Sequence, residues 1–297
     1  MTSPLHPQAR PLPALAATLA LGIFYWALFR MPLGARGAEL NQEESRRLQE
    51  DSAVMRRFGK WDRALKPTLR LHAAYPESSI YLAQLGEIYD HLGRYREESA
   101  VWEEFLDRSP RPIEGCPQAG QAYEKQGLEK QAIATFERCL ALLPGNPDSI
   151  FYLAHALERN GETDRAAALY AQGAASQPAY ADLATGLARV RLRQGRTQEA
   201  RRLAGAIVEQ HPDNVDALLV LGLACRQLGD RAGARNYLRR GVQLADGYVD
   251  FHIVLGRMAD EDGDLEGAIL HYQKALALDR SNAEIAQRLA LLRRAGE

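Results

Sequence analysis

Seven glycines, Gly59, Gly93, Gly127, Gly161, Gly195, Gly229 and Gly263, follow one another at intervals of 34 residues, and no insertion breaks the count. A fixed period of this size marks one supersecondary unit repeated along the chain, each copy burying its apolar face against its neighbours. The period therefore fixes the architecture before any side-chain chemistry is considered. It also turns the question of function from catalysis towards binding.

With the glycine at position 15 of the unit, other columns align. Position 8 reads Ser52, Gly86, Gly120, Ala154, Ala188, Gly222 and Gly256, and position 20 reads Ala64, Glu98, Ala132, Ala166, Ala200, Ala234 and Ala268. Small residues in both columns let two antiparallel helices approach closely. Position 24 is mostly large, with Trp102, Phe136, Tyr170, Leu238 and Tyr272. Pro76, Pro110, Pro144, Pro178 and Pro212 occupy position 32, where proline stops a second helix. Each unit is thus a helix of about 13 residues, a turn at the glycine and a second helix of about 14. The glycine suits a left-handed conformation beyond the first helix, where a Cβ would clash.

The segments YLAQLGEIYDHLGRYREESAVWEEFLDRSP, AYEKQGLEKQAIATFERCLALLP and HIVLGRMADEDGDLEGAILHYQKALALD resemble the tetratricopeptide repeat family. The resemblance covers residues 45–282 as seven copies, 45–78, 79–112, 113–146, 147–180, 181–214, 215–248 and 249–282. It implies an all-α fold, a right-handed α-solenoid of helix-turn-helix repeats. A 35-residue RNA-reading repeat would slip out of phase over this length, and the ladder shows no slip. Residues 31–44 read as a linker and the start of a first helix running from Glu39 to Phe58. Residues 283–297 hold a capping helix whose Ile285, Ala286, Leu289 and Leu292 cover the last repeat.

Three departures stand out. Pro67 lies inside the second helix of repeat one and is expected to kink it. Glu98 in a small-residue column reads as tolerance at the edge of the stack, with a binding role as the alternative. Repeat three opens as SPRPIEGCPQAG, so its first helix is expected to start late, with Pro117 as its first residue. Cys116 then sits at the helix start and Cys139 near the end of the antiparallel partner. A Cys116–Cys139 disulfide, two buried core thiols and a Cys116 activated by the helix start are three open readings. Cys225 reads as packing.

Ahead of the repeats, after a tail at residues 1–10, Pro11 to Phe29 reads PLPALAATLALGIFYWALF between Arg10 and Arg30. As a helix this run spans about 28 Å, close to the ~30 Å hydrocarbon core of a bilayer. Tyr25 and Trp26 near its end suit the membrane interface. Residues 11–30 are therefore expected to form one transmembrane anchor, making a single-pass protein, with a bacterial inner membrane as the expected site. A cleaved signal peptide, with Ala35-Arg36-Gly37 as a weak cutting site, is the rival reading. The Lys/Arg counts of the two flanks differ by about one charge, so the side that the repeats face stays open.

The net charge of −1 gives no global pull towards nucleic acid. The seven histidines form no HExxH, the cysteines no CxxC, and neither GxSxG nor a phosphate-cradling glycine loop occurs. A non-enzyme without cofactor or metal is expected, and His252 reads as a packed core histidine. The resemblance implies that first helices line a concave groove through positions 2, 5, 9, 12 and 13. In repeats two to four these positions include Glu87, Asp90, Glu124, Phe151, His155 and Glu158. In repeats five to seven they include Arg189, Arg193, Leu219, Leu223, Arg226, Ile253 and Arg257. The groove is thus expected to be acidic at one end and basic with aliphatic residues at the other, a surface for an acidic or amphipathic peptide. A merely solvated charged face is the other reading. The lysines and asparagines with which some family members clamp a terminal carboxylate are missing from positions 5 and 9. The expected function is a membrane-anchored scaffold that binds a protein partner in bacterial envelope assembly, with self-association also open. A periplasmic secretion factor with a removed signal is the alternative, and an RNA-binding solenoid is disfavoured by the acidic columns.

Overall fold

The computed structural model describes residues 40–295, which form fifteen α-helices and no strand among the described residues. The expected tail, anchor and most of the linker lie outside them, as do the last two residues of the expected cap. Among the described residues no helix is long and apolar enough to cross a membrane.

Two compact units divide the chain, one ending at Ile88 and the other starting at Tyr89. The first contains α1 (Gln42–Arg57), α2 (Trp61–Ala74) and most of α3 (Ser79–His91). Helix α1 starts later than the expected Glu39, because Asn41 caps it by accepting from the Glu44 N–H at 2.8 Å. Helix α2 runs on through Pro67. Ser52 on α1 and Thr68 on α2, from columns 8 and 24, are both buried and share a 2.7 Å hydrogen bond. Ser45 likewise meets the Tyr75 hydroxyl at 2.6 Å. The hairpin of repeat one is held by polar contacts where later repeats use apolar ones.

The second unit continues with α4 (Tyr95–Arg108), a 3₁₀ turn at Pro112–Gly115, α5 (Cys116–Lys125), α6 (Glu129–Leu142), α7 (Pro147–Arg159) and α8 (Thr163–Ser176). It closes with α9 (Ala181–Arg193), α10 (Thr197–Gln210), α11 (Val215–Gln227), α12 (Arg231–Leu244), α13 (Val249–Glu261), α14 (Leu265–Leu278) and α15 (Ala283–Ala295). Small residues of column 8 receive large ones of column 24 in the same repeat. A Cβ added at Gly222 would lie 2.8 Å from Leu238 Cδ2, and one at Gly256 would lie 2.6 Å from Tyr272 Cε1. This complementarity closes the helix pairs of repeats six, seven and three, where Gly120 likewise faces Phe136, whereas repeat five has Ala188 and Ala204 in these columns.

All seven ladder glycines have φ between +65° and +85°. The N–H of the next residue reaches back to the carbonyl five positions earlier, as from Arg196 to Arg191 at 2.9 Å, the Schellman closure of a helix end. A Cβ at Gly195 would meet nothing within 4 Å beyond its chain neighbours, so the clash that demands glycine is the local one between a Cβ and the adjoining backbone at positive φ.

Position 34 carries an alternation with structural meaning. Asn146, Asn214 and Asn282 cap α7, α11 and α15 by accepting from the N–H three residues on. Between them Tyr180 and Tyr248 donate their hydroxyls to Asp148 and Asp216, tying each repeat's end to its own start. Asp148 and Asp216 thus serve both the dipole of the helix whose first turn they occupy and a side-chain hydrogen bond.

Cys116 and Cys139 are bonded, with sulfurs 2.12 Å apart and Cα atoms 5.9 Å apart. Helix α5 begins at Cys116, one residue before the expected Pro117, and has ten residues where other first helices of this unit have 13. Cys225 is fully buried. In the cap, Ile285, Leu289 and Leu292 are buried against the last repeat while Ala286 is exposed, contrary to its expected place. Glu98 also departs from expectation. It is 2% exposed and bonded to Lys125 Nζ at 3.0 Å, so it is a paired buried carboxylate and not a tolerated edge residue. Burial raises its pKa against the pull of Lys125.

Candidate partner-binding face

The charged residues expected to line the groove are largely engaged with one another. In the first unit Glu87 accepts from Arg56 at 2.7 Å. In the second, position 12 of one first helix repeatedly meets position 13 of the next. Asp90 pairs with Lys125 at 2.5 Å, Glu124 with Arg159 at 3.4 Å, Glu158 with Arg193 at 3.1 Å, and Arg226 with Glu261. Arg257 pairs with Glu284 of the cap at 2.7 Å. Each expected half is therefore neutralised by opposite charges on the adjoining helix, and most of these charges hold repeats together.

One rung is missing. Between α9 and α11 the two positions are Leu192, which is buried, and Gln227, whose side chain accepts from Thr197. The order of charge reverses across this gap, acid before base on one side and base before acid on the other. Leu219 and Leu223 stand half-exposed on α11 beside it.

Next to the gap, one carboxylate serves two guanidiniums. Arg189 grips Glu158 with Nε at 2.9 Å and Nη2 at 2.8 Å, a bidentate pair, while Arg193 takes the same carboxylate. Glu158 is 2% exposed and Arg193 is 55% exposed, so the surplus positive charge faces water. Burial alone would lower the pKa of Arg189, but the bonds to Glu158 hold it above its usual value. Tyr170 joins the cluster, its hydroxyl 3.3 Å from Arg189 Nη2, and burial raises its pKa. Phe151 lies edge-on to Tyr170 and parallel to His155, with centroids 6.3 Å and 6.0 Å away. Burial, then the positive charge of Arg189, lowers the pKa of His155 and favours the neutral ring.

The structure thus brings Phe151, His155, Glu158, Arg189 and Arg193 into one cluster, with Leu219 and Leu223 beside the neighbouring gap. Glu87, Asp90, Glu124, Arg226 and Arg257 instead serve in rungs, and Ile253 is half-buried on α13. Sequence reasoning missed Lys125, Arg159, Tyr170, Glu261 and Glu284 as partners. Opposite signs at positions 12 and 13 of successive units were the available signal. No group of three or more potential metal ligands occurs among the described residues.

Models of the tetratricopeptide repeat match residues 125–190, 185–249 and 226–283, more than half of the chain. The chain belongs to the tetratricopeptide repeat family. No curated protein matches it. Among solved structures it is similar to a tetratricopeptide repeat protein from Parabacteroides merdae ATCC 43184, with a TM-score of 0.71 at 16% identity over 84% of this chain and 98% of that one. The Cut9–Hcn1 hetero-tetramer of the APC/C gives 0.63 at 14% identity over 92% of this chain and 59% of that chain. A thermophilic tetratricopeptide protein of Thermus thermophilus gives 0.54 at 22% identity over 61% and 98%. At these identities the likeness shows the fold alone.

Proposed function

We propose that this tetratricopeptide protein is a membrane-tethered scaffold that binds an acidic, partly apolar partner segment across the first helices of repeats four to six. The carrying observation is the unequal rung at Glu158, where two arginines share one carboxylate beside half-exposed Phe151, Leu219 and Leu223. A partner carboxylate would take the water-facing side of Arg193, and an adjacent apolar side chain would cover the leucines.

The apolar run at residues 11–29 supports the tether, and the Cys116–Cys139 bond supports an oxidising location for the repeats. Together they favour a protein of the bacterial envelope with its repeats outside the cytoplasm. A cleaved signal peptide would suit the same disulfide, and the mass of the mature amino terminus separates the two.

The full chain with Arg193→Glu, Leu219→Asp and Leu223→Asp is the test of the face. Partners are cross-linked in membranes and compared by quantitative mass spectrometry with those of the unchanged protein. Loss of the main cross-linked partner is expected. Unchanged recovery, with the fold intact by circular dichroism, would place the site elsewhere.

A further inference from the structure

The turn between α1 and α2 reads Arg56-Arg57-Phe58-Gly59-Lys60-Trp61-Asp62-Arg63. Phe58 is 69% exposed, the most exposed large apolar side chain among the described residues. One turn earlier on the same helix, Val54 is 47% exposed. Neither side chain is buried, so hairpin packing does not account for them. Arg57, Lys60 and Arg63 are exposed and have no ion-pair partner among the described residues, whereas Arg56 is taken by Glu87.

Equivalent turns of the second unit look different. Most of their cations are paired, Arg94 with Glu97, Arg165 with Glu162, Arg196 with Glu199 and Arg231 with Asp262, while Lys130 has no ion pair among the described residues. The position of Phe58 is held there by Leu92, Gln126, Asn160, Gln194, Leu228 and Asp262. An aromatic ring among three uncompensated cations is thus particular to repeat one.

We propose that this turn docks on the surface of an anionic bilayer, with Phe58 entering the headgroup region and Arg57, Lys60 and Arg63 meeting lipid phosphates. Basic residues beside an exposed aromatic ring match the interfacial zone, where charge and ring are both accommodated. The chain's reach supports the same occupant. Ten residues separate Phe29, the end of the apolar run, from Leu40, and a chain of that length can reach at most about 35 Å. Helix α1 is about 24 Å long, so its far end can meet the surface from which the run emerges. The contact would lay the first hairpin along the bilayer.

This proposal rests on the reading of residues 11–29 as a membrane anchor. In the test, the full chain carries Phe58→Cys labelled with bimane, Cys225 being buried and the other two cysteines bonded. It is assembled into nanodiscs of phosphatidylcholine alone or with phosphatidylglycerol, which leave both faces accessible. Blue-shifted emission and loss of iodide quenching are expected only in the anionic discs. Both effects should vanish with Arg57→Glu, Lys60→Glu and Arg63→Glu. Equal quenching in the two discs overturns the docking while leaving the anchor intact. Failure of the chain to float with vesicles in high salt refutes the anchor and the docking together. Protection appearing only when single-stranded RNA is added to neutral discs would assign the patch to nucleic acid and overturn the proposal.

Discussion

Removing the Cys116–Cys139 bond should cost the second unit more than any single surface change. The bond joins residues 23 apart, and loop-closure entropy for that span is about 3 kcal/mol. Its location increases the consequence, because α5 is short and opens from a 3₁₀ turn with no side-chain cap. Both sulfurs are nearly inaccessible, Cys139 at 0% and Cys116 at 2% exposure. The assay is urea unfolding of the full chain, oxidised, reduced, and as Cys116→Ala with Cys139→Ala. Oxidised protein should titrate one thiol in denaturant, that of Cys225, and three after reduction. The reduced and double-variant forms should both lose about 3 kcal/mol, with amide exchange rising first in α5 and α6. Three titratable thiols before reduction would refute the bond. One thiol with an unchanged urea midpoint would refute the assignment of this stabilisation to loop closure.

Other consequences follow from particular contacts. Gly195→Ala should cost about 1 kcal/mol through its dihedral alone and be additive with changes around it. Gly256→Ala should cost about 1–3 kcal/mol through Tyr272 and be partly rescued by Tyr272→Leu in a double-mutant cycle. Glu158→Gln should lose about 2–3 kcal/mol in urea unfolding, the low end for a broken buried pair because Arg189 is 28% exposed. Arg193→Gln, at an exposed partner, should lose under about 1 kcal/mol. Acidification should also destabilise the protein. The pKa values of His155 and His271 are lowered in the fold, mainly by burial, so the unfolded chain binds protons first. Stability is thus present above about pH 6.5 and lost below it. The urea midpoint should fall from pH 7.5 to 5.5, and fall less in His155→Gln with His271→Gln.

The parts of the fold legible in sequence were those written into a column. Gly222 against Leu238 and Gly256 against Tyr272 lie 16 residues apart within one unit, so volume complementarity repeats with the period. The glycine ladder was legible for the same reason, its cause being the local backbone clash that a Cβ would meet at positive φ. What escaped were contacts between columns of successive repeats. Lys125 serves Asp90 and Glu98 together, and neither acid's column alone predicts that. Long side chains reach from one helix to the next, so a face that looks charged in sequence is partly spent in the structure. The Asn/Tyr alternation at position 34 was visible as letters, but its meaning required knowing that a tyrosine reaches back to an aspartate 32 residues earlier.

The missing rung between repeats five and six shows why charge count is a poor guide to this binding face. Ion pairs between exposed side chains stabilise little on their own, so their absence need not weaken the stack. At the gap, burial replaces them, since one apolar cluster runs from Ala188 and Leu192 through Leu218 and Leu221 to Leu255 and Met258. Leu219 and Leu223 pack at the edge of that cluster and remain half-exposed. A rung here would have placed a charge next to the half-exposed Leu219 and Leu223. Without one, a partner of the proposed chemistry would meet apolar surface and the exposed charge of Arg193 side by side, above the core beneath. Restoring the rung with Leu192→Glu and Gln227→Arg should therefore impair the face through its core, since a buried leucine is lost for an exposed pair.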